Sequence, residues 1–424
     1  MSIKKQILKN NTVLITEPIA TSKTVAIGFW FSVGSRYEAE NQSGITHFVE
    51  HMIFKGTPTR TAYEIACSFD RIGGYVNAFT ERELVCLHCV VPSEYADYAL
   101  EILTDMSQNA LFLEKDVDKE RSVIESEIIS AQDDPEEACL DTVIDCIFPK
   151  NQISKNICGT TESVKNLTST DLLNWYTKYF AKGELLITVA GNFTEELIIS
   201  KIQENPTRKE AKVFHQFEKV PVWEKGFHYA ISDFQQEQIL LLFPVKTPTT
   251  KKEYLSFAIL NALIGDTMSS RLFQSLRENR GFCYNVYSFF NFYADCGFWG
   301  AYASCNKKDI LDLIKALKNE IQLLIESGIT EEELQAAKEH LCGEEIITSE
   351  DVENRMKRLY RLYSFDFEME TIEETVNQIR SITKIDILEV LPKLLDLDNK
   401  ALVFYGPKIN KTTKQEIENE FKYR

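Results

Sequence analysis

The sequence predicts an α+β fold made of two duplicated domains, each a mostly antiparallel β-sheet with helices packed on one face. The first observation is length, because 424 residues are too many for one hydrophobic core and suit two domains of roughly 200 residues. The second is an internal repeat. Residues Leu167–Leu173 align without gaps on Ile382–Leu388, and at the same offset Leu186–Gly191 falls on Ala401–Gly406. A helix, a closing strand and a glycine thus end each half, as expected of a duplication.

In the first half, runs typical of strands alternate with runs typical of helices. Strand-like runs are rich in β-branched and aromatic residues, and helix-like runs have apolar residues at helical spacing. The predicted elements are a hairpin turning at Asn10-Asn11, strands over 24–33, 75–80, 84–91 and 184–190, and helices over 61–72, 93–111, 114–131, 171–180 and 194–203. A further short helix is predicted between Ser43, as N-cap, and the stop signal that begins at Gly56.

That short helix carries His47-Phe-Val-Glu50-His51. The two histidines and the glutamate have the i, i+3, i+4 spacing that places side chains next to one another on a helix. Two imidazoles one turn apart can hold one divalent ion such as zinc, and a carboxylate beside them can take a proton from water. The order H-x-x-E-H is a known catalytic signature. The alternative is two histidines on a surface helix without a metal. It is disfavoured because the chain has only six histidines, so that an H-x-x-E-H pattern seldom arises by chance.

A third ligand is expected from the helix over 114–131. Glu120 and Glu127 lie two turns apart on the flank of its apolar stripe. Carboxylates are rarely buried without a partner, which a metal or a metal-binding histidine would supply. The alternative is that the two glutamates lie at the boundary between the buried and the solvent-exposed face of a highly acidic helix and bind no metal. The residue pattern by itself leaves either Glu127 or Glu120 as the third ligand.

The second half has no histidine pair and therefore no equivalent metal site. A charged segment without periodicity separates the halves, so we predict an N-terminal catalytic domain over 1–205, a linker over 206–222 and a C-terminal repeat domain over 223–424. In the second half, Arg277 and Tyr284 could donate hydrogen bonds to a substrate carbonyl or oxyanion. From spacing alone, an arginine at a helix end and a packed tyrosine is the favoured interpretation.

Composition excludes several classes of partner. A net charge of −17 argues against nucleic acid and anionic membranes. No run approaches the ~20 apolar residues of a membrane span, and the first residues resemble neither a signal peptide nor a presequence, so a cytoplasmic protein is predicted. The ten cysteines are scattered, as expected of free thiols in a reducing compartment. Cys86 and Cys89, three apart on one strand, are expected in the core on opposite faces.

The stretch from Ser43 to Thr57 resembles the zinc helix of the inverzincin metallopeptidases of the pitrilysin and insulin-degrading enzyme family. The resemblance covers essentially the whole chain and is greatest to the branch of the mitochondrial processing peptidase β-subunit and its bacterial single-chain relatives. It implies one zinc ion per chain, held by His47, His51 and Glu127, which lies 76 residues after His51. It also implies that Glu50 is the general base and that Glu120 supports a metal ligand.

The resemblance further implies that Asn77, Ala78 and Phe79 belong to an edge strand that pairs with the substrate backbone. Arg277 and Tyr284 match the pair that the family's second domain supplies near the scissile bond, although Phe282-Cys283 stand where relatives often have Leu-Ala. A homodimer would complete the family's chamber, with this pair acting in the site of the other chain. The implied function is a zinc endopeptidase that cleaves unstructured peptides or presequence-like segments within that chamber.

Two other functions are compatible with the sequence. One is a catalytically inactive peptide-binding or scaffold subunit of a processing-peptidase-like complex, against which the complete set of His47, Glu50, His51 and Glu127 argues. The other is a metal-dependent hydrolase of another class, such as an amidase acting on small molecules. Metal analysis separates the first alternative from the peptidase, and cleavage of a peptide library separates the second.

Overall fold

A computed structural model of the chain describes residues 3–212 and 217–422, so residues 213–216 of the predicted linker lie outside the described residues. The chain forms two compact units, each built from three stretches of sequence. Unit 1 comprises 1–131, 155–215 and 346–372, and unit 2 comprises 132–154, 216–345 and 373–424. The domain limits predicted from sequence stay a prediction.

The elements are numbered in chain order. The strands are β1 (Lys4–Ile7), β2 (Val13–Pro18), β3 (Thr24–Phe31), β4 (Tyr75–Thr80), β5 (Val85–Pro92), β6 (Leu185–Gly191), β7 (Gly226–Ile231), β8 (Glu237–Pro244), β9 (Cys283–Phe292), β10 (Gly297–Cys305) and β11 (Ala401–Gly406). The helices are α1 (Ile45–Met52), α2 (Ala62–Asp70), α3 (Ala96–Asn109), α4 (Glu114–Asp133), α5 (Pro135–Ile147), α6 (Thr161–Asn166), α7 (Ser169–Tyr176), α8 (Glu195–Gln203), α9 (Lys251–Asn261), α10 (Ile310–Ser327), α11 (Glu331–Thr348), α12 (Val352–Ser364), α13 (Ile372–Ser381), α14 (Lys384–Leu394) and α15 (Lys411–Lys422). None of these described helices is long and apolar enough to cross a membrane.

Apart from the additional edge strand β1 of unit 1, the two sheets share one topology. The strand order is β1-β2-β6-β3-β5-β4 in unit 1 and β7-β11-β8-β10-β9 in unit 2. In each sheet one pair is parallel, β2 with β6 and β11 with β7, and the other pairs are antiparallel. The repeated helices α7 and α14 both begin with a capping box, formed by Thr168 with Asp171 and by Thr383 with Asp386. The predicted duplicated α+β fold is confirmed.

Both faces of the unit 1 sheet are apolar, because successive residues of a strand point to opposite faces. The face toward α1, α3 and α7 buries Leu14, Val25, Ile27, Phe29, Leu87, Cys89, Ile187 and Val189. The opposite face buries Val13, Ile15, Ala26, Trp30, Cys86, Leu186 and Ala190. Helix α12 covers this second face with Val352, Met356, Leu359 and Tyr363. Cys86 and Cys89 therefore lie in the core on opposite faces, as predicted.

Unit 2 also receives a covering helix from the other half of the sequence. The α5 residues Cys139, Val143, Ile144 and Ile147 pack on Leu240, Leu242, Phe298, Tyr302, Ala401 and Val403 of its sheet. The sequence predicts helices on one face of each sheet, but in unit 1 the helix α12 covers the second face as well. Local sequence patterns do not reveal this, because α12 is far in sequence from the strands that it covers.

Helix α1 begins differently from the prediction. Its N-cap is Gly44, not Ser43, with a φ of 87°. A Cβ at Gly44 would lie 2.6 Å from the backbone oxygen of Cys158, so both the positive φ and the close approach require glycine. The buried carboxylate of Glu38 accepts hydrogen bonds from the backbone N–H groups of Gly44 at 2.8 Å and Thr46 at 2.9 Å. A distant side chain thus satisfies the free donors of the first turn.

Replacing Glu38 with alanine is expected to lower the free energy of unfolding by about 1–3 kcal/mol, because it removes a cap and leaves two buried N–H groups without an acceptor. Urea unfolding followed by circular dichroism measures the change. Glu40→Ala is the control, since Glu40 lies in the same segment with an exposed side chain. Equal unfolding midpoints for the two variants would contradict the capping role.

Candidate metal centre

Helix α1 places its histidines through its amphipathic pattern. Ile45, Phe48, Val49 and Met52 are fully buried in the unit 1 core. Because this apolar stripe faces inward, the i, i+3, i+4 set of His47, Glu50 and His51 is turned to the other side of the helix. The Nε2 atoms of His47 and His51 lie 3.2 Å apart. The two imidazoles therefore converge on one point.

Helix α4 supplies two carboxylates with different environments. Glu120 is 7% exposed, and its Oε1 lies 2.9 Å from Nδ1 of His51. Its Oε2 pairs with Nζ of Lys55 at 2.5 Å. The side chain of Glu127 is 45% exposed and directs Oε2 toward the histidine pair. Glu120 is therefore the carboxylate that contacts His51 from the side, and Glu127 is the one that lies at the point of convergence.

The three candidate ligand atoms have a spacing close to that of a tetrahedral metal site. Glu127 Oε2 lies 3.3 Å from His51 Nε2 and 3.8 Å from His47 Nε2. Zinc–ligand bonds of about 2.0–2.1 Å in a tetrahedron require ligand atoms about 3.3–3.4 Å apart. With His51 Nδ1 donating to Glu120, its Nε2 presents a lone pair to the same space. Lone pairs that converge at these distances are stabilised by a shared cation, so the residues fit a zinc ion.

Electrostatics keep His47 in the form that binds metal. Burial and, to a smaller extent, the neighbouring His51 together lower the pKa of His47 to about 3. Its imidazole is therefore neutral near pH 7, and a neutral imidazole is the metal-binding form. Among the described residues, Nδ1 of His47 has no hydrogen-bond partner. The support that Glu120 gives to His51 thus has no counterpart at His47.

Glu50 lies beside the candidate metal ligands and is held by a strand. The hydroxyl of Thr80, the last residue of β4, donates to Glu50 Oε2 at 2.5 Å. Burial raises the pKa of Glu50 above its ordinary value, while the Thr80 hydroxyl and the nearby His51 oppose that rise. A raised carboxyl pKa improves a general base, because its conjugate acid then lies closer to the working pH.

The predicted substrate residues Asn77, Ala78 and Phe79 lie on β4, at the edge of the unit 1 sheet. One side of β4 pairs with β5, and no strand pairs with its other side among the described residues. Ala78 packs against the core below α1, whereas Phe79 packs on the face that α12 covers. The strand can therefore accept an extended peptide along its free side.

The predicted pair Arg277 and Tyr284 belongs to unit 2. The Arg277 guanidinium lies 4.6 Å from the ring centroid of Phe273 and 4.9 Å from that of Tyr284. Tyr284 is 80% exposed, and it lies on β9, an edge strand. The two side chains are thus adjacent and accessible, contrary to the packed tyrosine that spacing alone favoured. Their role in catalysis stays a prediction.

Sequence reasoning missed three residues that support the candidate metal centre. Glu38 caps α1, Thr80 holds Glu50, and Lys55 pairs with Glu120. For Thr80 a signal exists, because alternation along β4 places it on the same face as Val76 and Ala78, toward α1. For Glu38 and Lys55 no local pattern identifies the partner.

Comparison with known proteins identifies the family to which the sequence is similar. The model of the insulinase family, peptidase family M16, matches residues 13–161, and the model of the peptidase M16 inactive domain matches residues 166–341. The chain is similar to an uncharacterized zinc protease of Bacillus subtilis, with 31% identity over 408 residues that cover 96% of this chain and 99% of the relative. An uncharacterized zinc protease of Rickettsia felis is 34% identical over 389 residues, which cover 91% of this chain and 93% of the relative.

Solved structures agree in fold. A peptidase M16 inactive domain from Pseudomonas fluorescens has a TM-score of 0.87 at 16% identity, covering 96% of this chain and 98% of that one. A protease from Helicobacter pylori has a TM-score of 0.85 at 20% identity, covering 96% and 100%. A position in the mitochondrial processing peptidase branch stays a prediction. Since the family models and relatives above 30% identity cover most of the sequence, the chain belongs to the insulinase family, peptidase family M16.

Proposed function

We propose that the chain is a zinc endopeptidase that cleaves unstructured peptides, and that its active site is the centre on α1 and α4. The observation that carries this proposal is the convergence of His47 Nε2, His51 Nε2 and Glu127 Oε2 within 4.8 Å of one another, with Glu50 one residue before His51. Relatives named zinc proteases support the same conclusion.

His47, His51 and Glu127 would hold one zinc ion, and Glu120 would keep His51 in the tautomer whose Nε2 faces the ion. When bound, zinc polarises a peptide carbonyl and makes water more acidic. A site with only these three protein ligands would leave one position of the ion free for water or substrate, as in catalytic rather than structural zinc sites.

Glu50 performs the proton transfers. Its carboxylate accepts a proton from the water that attacks the scissile carbonyl, and it then delivers that proton to the leaving amine. The Thr80 hydroxyl occupies Oε2 of Glu50, which leaves Oε1 for the water. This bond also fixes the rotamer of the base, so that proton transfer needs little reorganisation.

The edge strand β4 is proposed to bind the substrate. Main-chain hydrogen bonds from Asn77, Ala78 and Phe79 would hold any extended peptide and would carry little sequence selectivity. Folded proteins are excluded because their backbone groups are already paired. Unstructured peptides or presequence-like segments are therefore the proposed substrates.

A homodimer is proposed to enclose the site, with Arg277 and Tyr284 contributing hydrogen bonds to the substrate. The supporting observations are the adjacency of these two side chains and the 80% exposure of Tyr284. Sedimentation velocity tests the dimer. Arg277→Ala tests the proposed role of the pair, because loss of a hydrogen bond to the substrate should raise the KM for peptide hydrolysis.

Metal analysis combined with a peptide assay tests the proposed function. Purified protein should contain one zinc per chain, cleave a set of fluorogenic peptides, lose cleavage with a chelator and regain it with added zinc. A wild-type chain that binds no zinc and cleaves no peptide would favour a peptide-binding or scaffold subunit. Cleavage restricted to small amides would favour the other class of hydrolase.

Replacing Glu120 with glutamine is expected to weaken zinc binding by about tenfold, the lower end of the effects seen when a group that supports a ligand is changed. Glutamine can still accept from His51 Nδ1 but lacks the charge. Competition with a fluorescent zinc chelator measures the affinity. The control is Glu125→Gln on the same helix, and an equal affinity for both variants would contradict the assigned role of Glu120.

A further inference from the structure

The outer face of β4 is held by two side chains of α12. The hydroxyl of Tyr75 donates a hydrogen bond to the carboxylate of Glu353. A second contact lies four residues later in both β4 and α12, where the Lys357 ammonium is 5.6 Å from the ring centroid of Phe79. Tyr75 and Phe79 point to the same face because they are an even number of residues apart on a strand. Helix α12 therefore contacts both ends of the predicted substrate strand.

Glu353 connects three elements. Its Oε1 pairs with Lys357 Nζ at 2.6 Å and with Nε2 of His88 at 3.2 Å, and His88 is the residue of β5 that pairs with Asn77 of β4. The Glu353 side chain is 15% exposed. Burial alone would raise the pKa of Glu353, but the donors Lys357, Tyr75 and His88 hold it below its ordinary value. The carboxylate is thus ionised and bonds to β4, β5 and its own helix.

Helix α12 is itself firmly packed. The ring of Tyr360 stacks on Trp30 of β3, with centroids 4.0 Å apart and an interplanar angle of 11°. Met356 is fully buried, and a Cβ at Gly28 would lie 2.3 Å from its sulfur. The absence of a side chain at Gly28 therefore lets α12 lie close to the sheet. A helix packed in this way gives Glu353 and Lys357 fixed positions.

The inner face of β4 is fixed as well, because Thr80 donates to Glu50 on α1. An edge strand has paired neighbours on one side only, so its local stability is lower than that of central strands. The contacts of α12 on the outer face of β4 and of Glu50 on its inner face compensate for this lower stability.

We propose that Glu353, together with Tyr75 and Lys357, is a positioning group that keeps β4 ordered for substrate binding. The proposal rests on the proposed function, since it concerns the strand that binds the peptide. A strand that is already ordered loses less conformational entropy when a peptide pairs with it. Loss of the contacts should therefore raise KM while kcat stays nearly unchanged, because Glu50 and the metal ligands are untouched.

Two variants test the positioning role, Glu353→Ala and Tyr75→Phe. Tyr75→Phe removes one hydroxyl from a half-exposed side chain and is expected to fold even if Glu353→Ala does not. Each variant should exchange the amide hydrogens of residues 75–80 about tenfold faster, and should raise KM about fivefold, as expected for loss of a hydrogen bond to a charged group. Zinc content and kcat should change less than about twofold.

Matched controls are Glu350→Ala, an exposed glutamate just before α12, and Tyr98→Phe, a half-exposed tyrosine on α3 whose hydroxyl donates to Ser68 at 3.0 Å. Both should behave as the wild type in exchange over residues 75–80 and in KM. Unchanged exchange in Tyr75→Phe would overturn the proposal, and so would faster exchange with an unchanged KM. A wild-type chain without zinc or cleavage refutes the proposed function instead, so the two failures are distinguishable.

Discussion

Replacing Glu50 with glutamine is expected to lower kcat for peptide cleavage by about 10²- to 10⁴-fold, the range that general acid–base catalysis contributes. Glutamine keeps the size of the side chain and can still accept from the Thr80 hydroxyl, but it cannot take a proton from water. Zinc content should stay at one per chain, because Glu50 is not among the three converging ligands. Stopped assays with a fluorogenic peptide, together with metal analysis, measure both quantities.

The matched control for Glu50→Gln is Glu125→Gln, a glutamate on α4. Residues two apart on a helix do not face each other, so Glu125 points away from the side that carries Glu127. This control should retain wild-type kcat. A Glu50→Gln variant with full kcat and normal zinc would show that another group is the base. Loss of zinc in that variant would instead show that Glu50 is a ligand.

Replacing Glu127 with alanine is expected to weaken zinc binding by more than about 100-fold, because loss of a merely supporting residue already costs about 10- to 100-fold. The two histidines that remain, with Nε2 atoms 3.2 Å apart, offer two ligands where a stable site needs at least three from the protein. Activity should fall in proportion to the zinc that is lost. Competition with a chelator measures the affinity, and excess zinc should restore part of the activity.

Glu125→Ala is the control for Glu127→Ala, since it removes an equal charge from the same helix. It should bind zinc as the wild type does. The result that would contradict the ligand assignment is unchanged zinc affinity in Glu127→Ala with greatly reduced affinity in Glu120→Ala. In that case the two carboxylates would have exchanged roles, which the residue pattern alone left open.

Several features were predictable because they depend on local periodicity. Strand β4 occupies the predicted residues, and β5 is displaced by one residue from its prediction. The H-x-x-E-H helix forms because its apolar residues at helical spacing enter the core, and that burial turns the histidines outward. Glu120 is buried beside the apolar stripe of α4 as its position predicts, whereas Glu127, two turns later on the same flank, is exposed.

Other features depend on contacts between residues that are distant in sequence. The N-cap was predicted at Ser43, but the structure caps α1 with Glu38 and Gly44. The sequence alone likewise gave no sign that α12 covers the sheet of unit 1, since an amphipathic helix shows that it has an apolar face but not which surface that face meets.

The sequence alone determined the duplicated α+β fold and singled out the candidate zinc ligands, with Glu120 and Glu127 left as alternatives, because hydrophobic periodicity and motif spacing are encoded within a few turns of chain. Tertiary structure decided which carboxylate of α4 meets the histidines, which hydroxyl holds Glu50 and which helix supports β4. These choices depend on distances between segments that only packing brings together, where a difference of a few ångströms separates a ligand from a supporting residue.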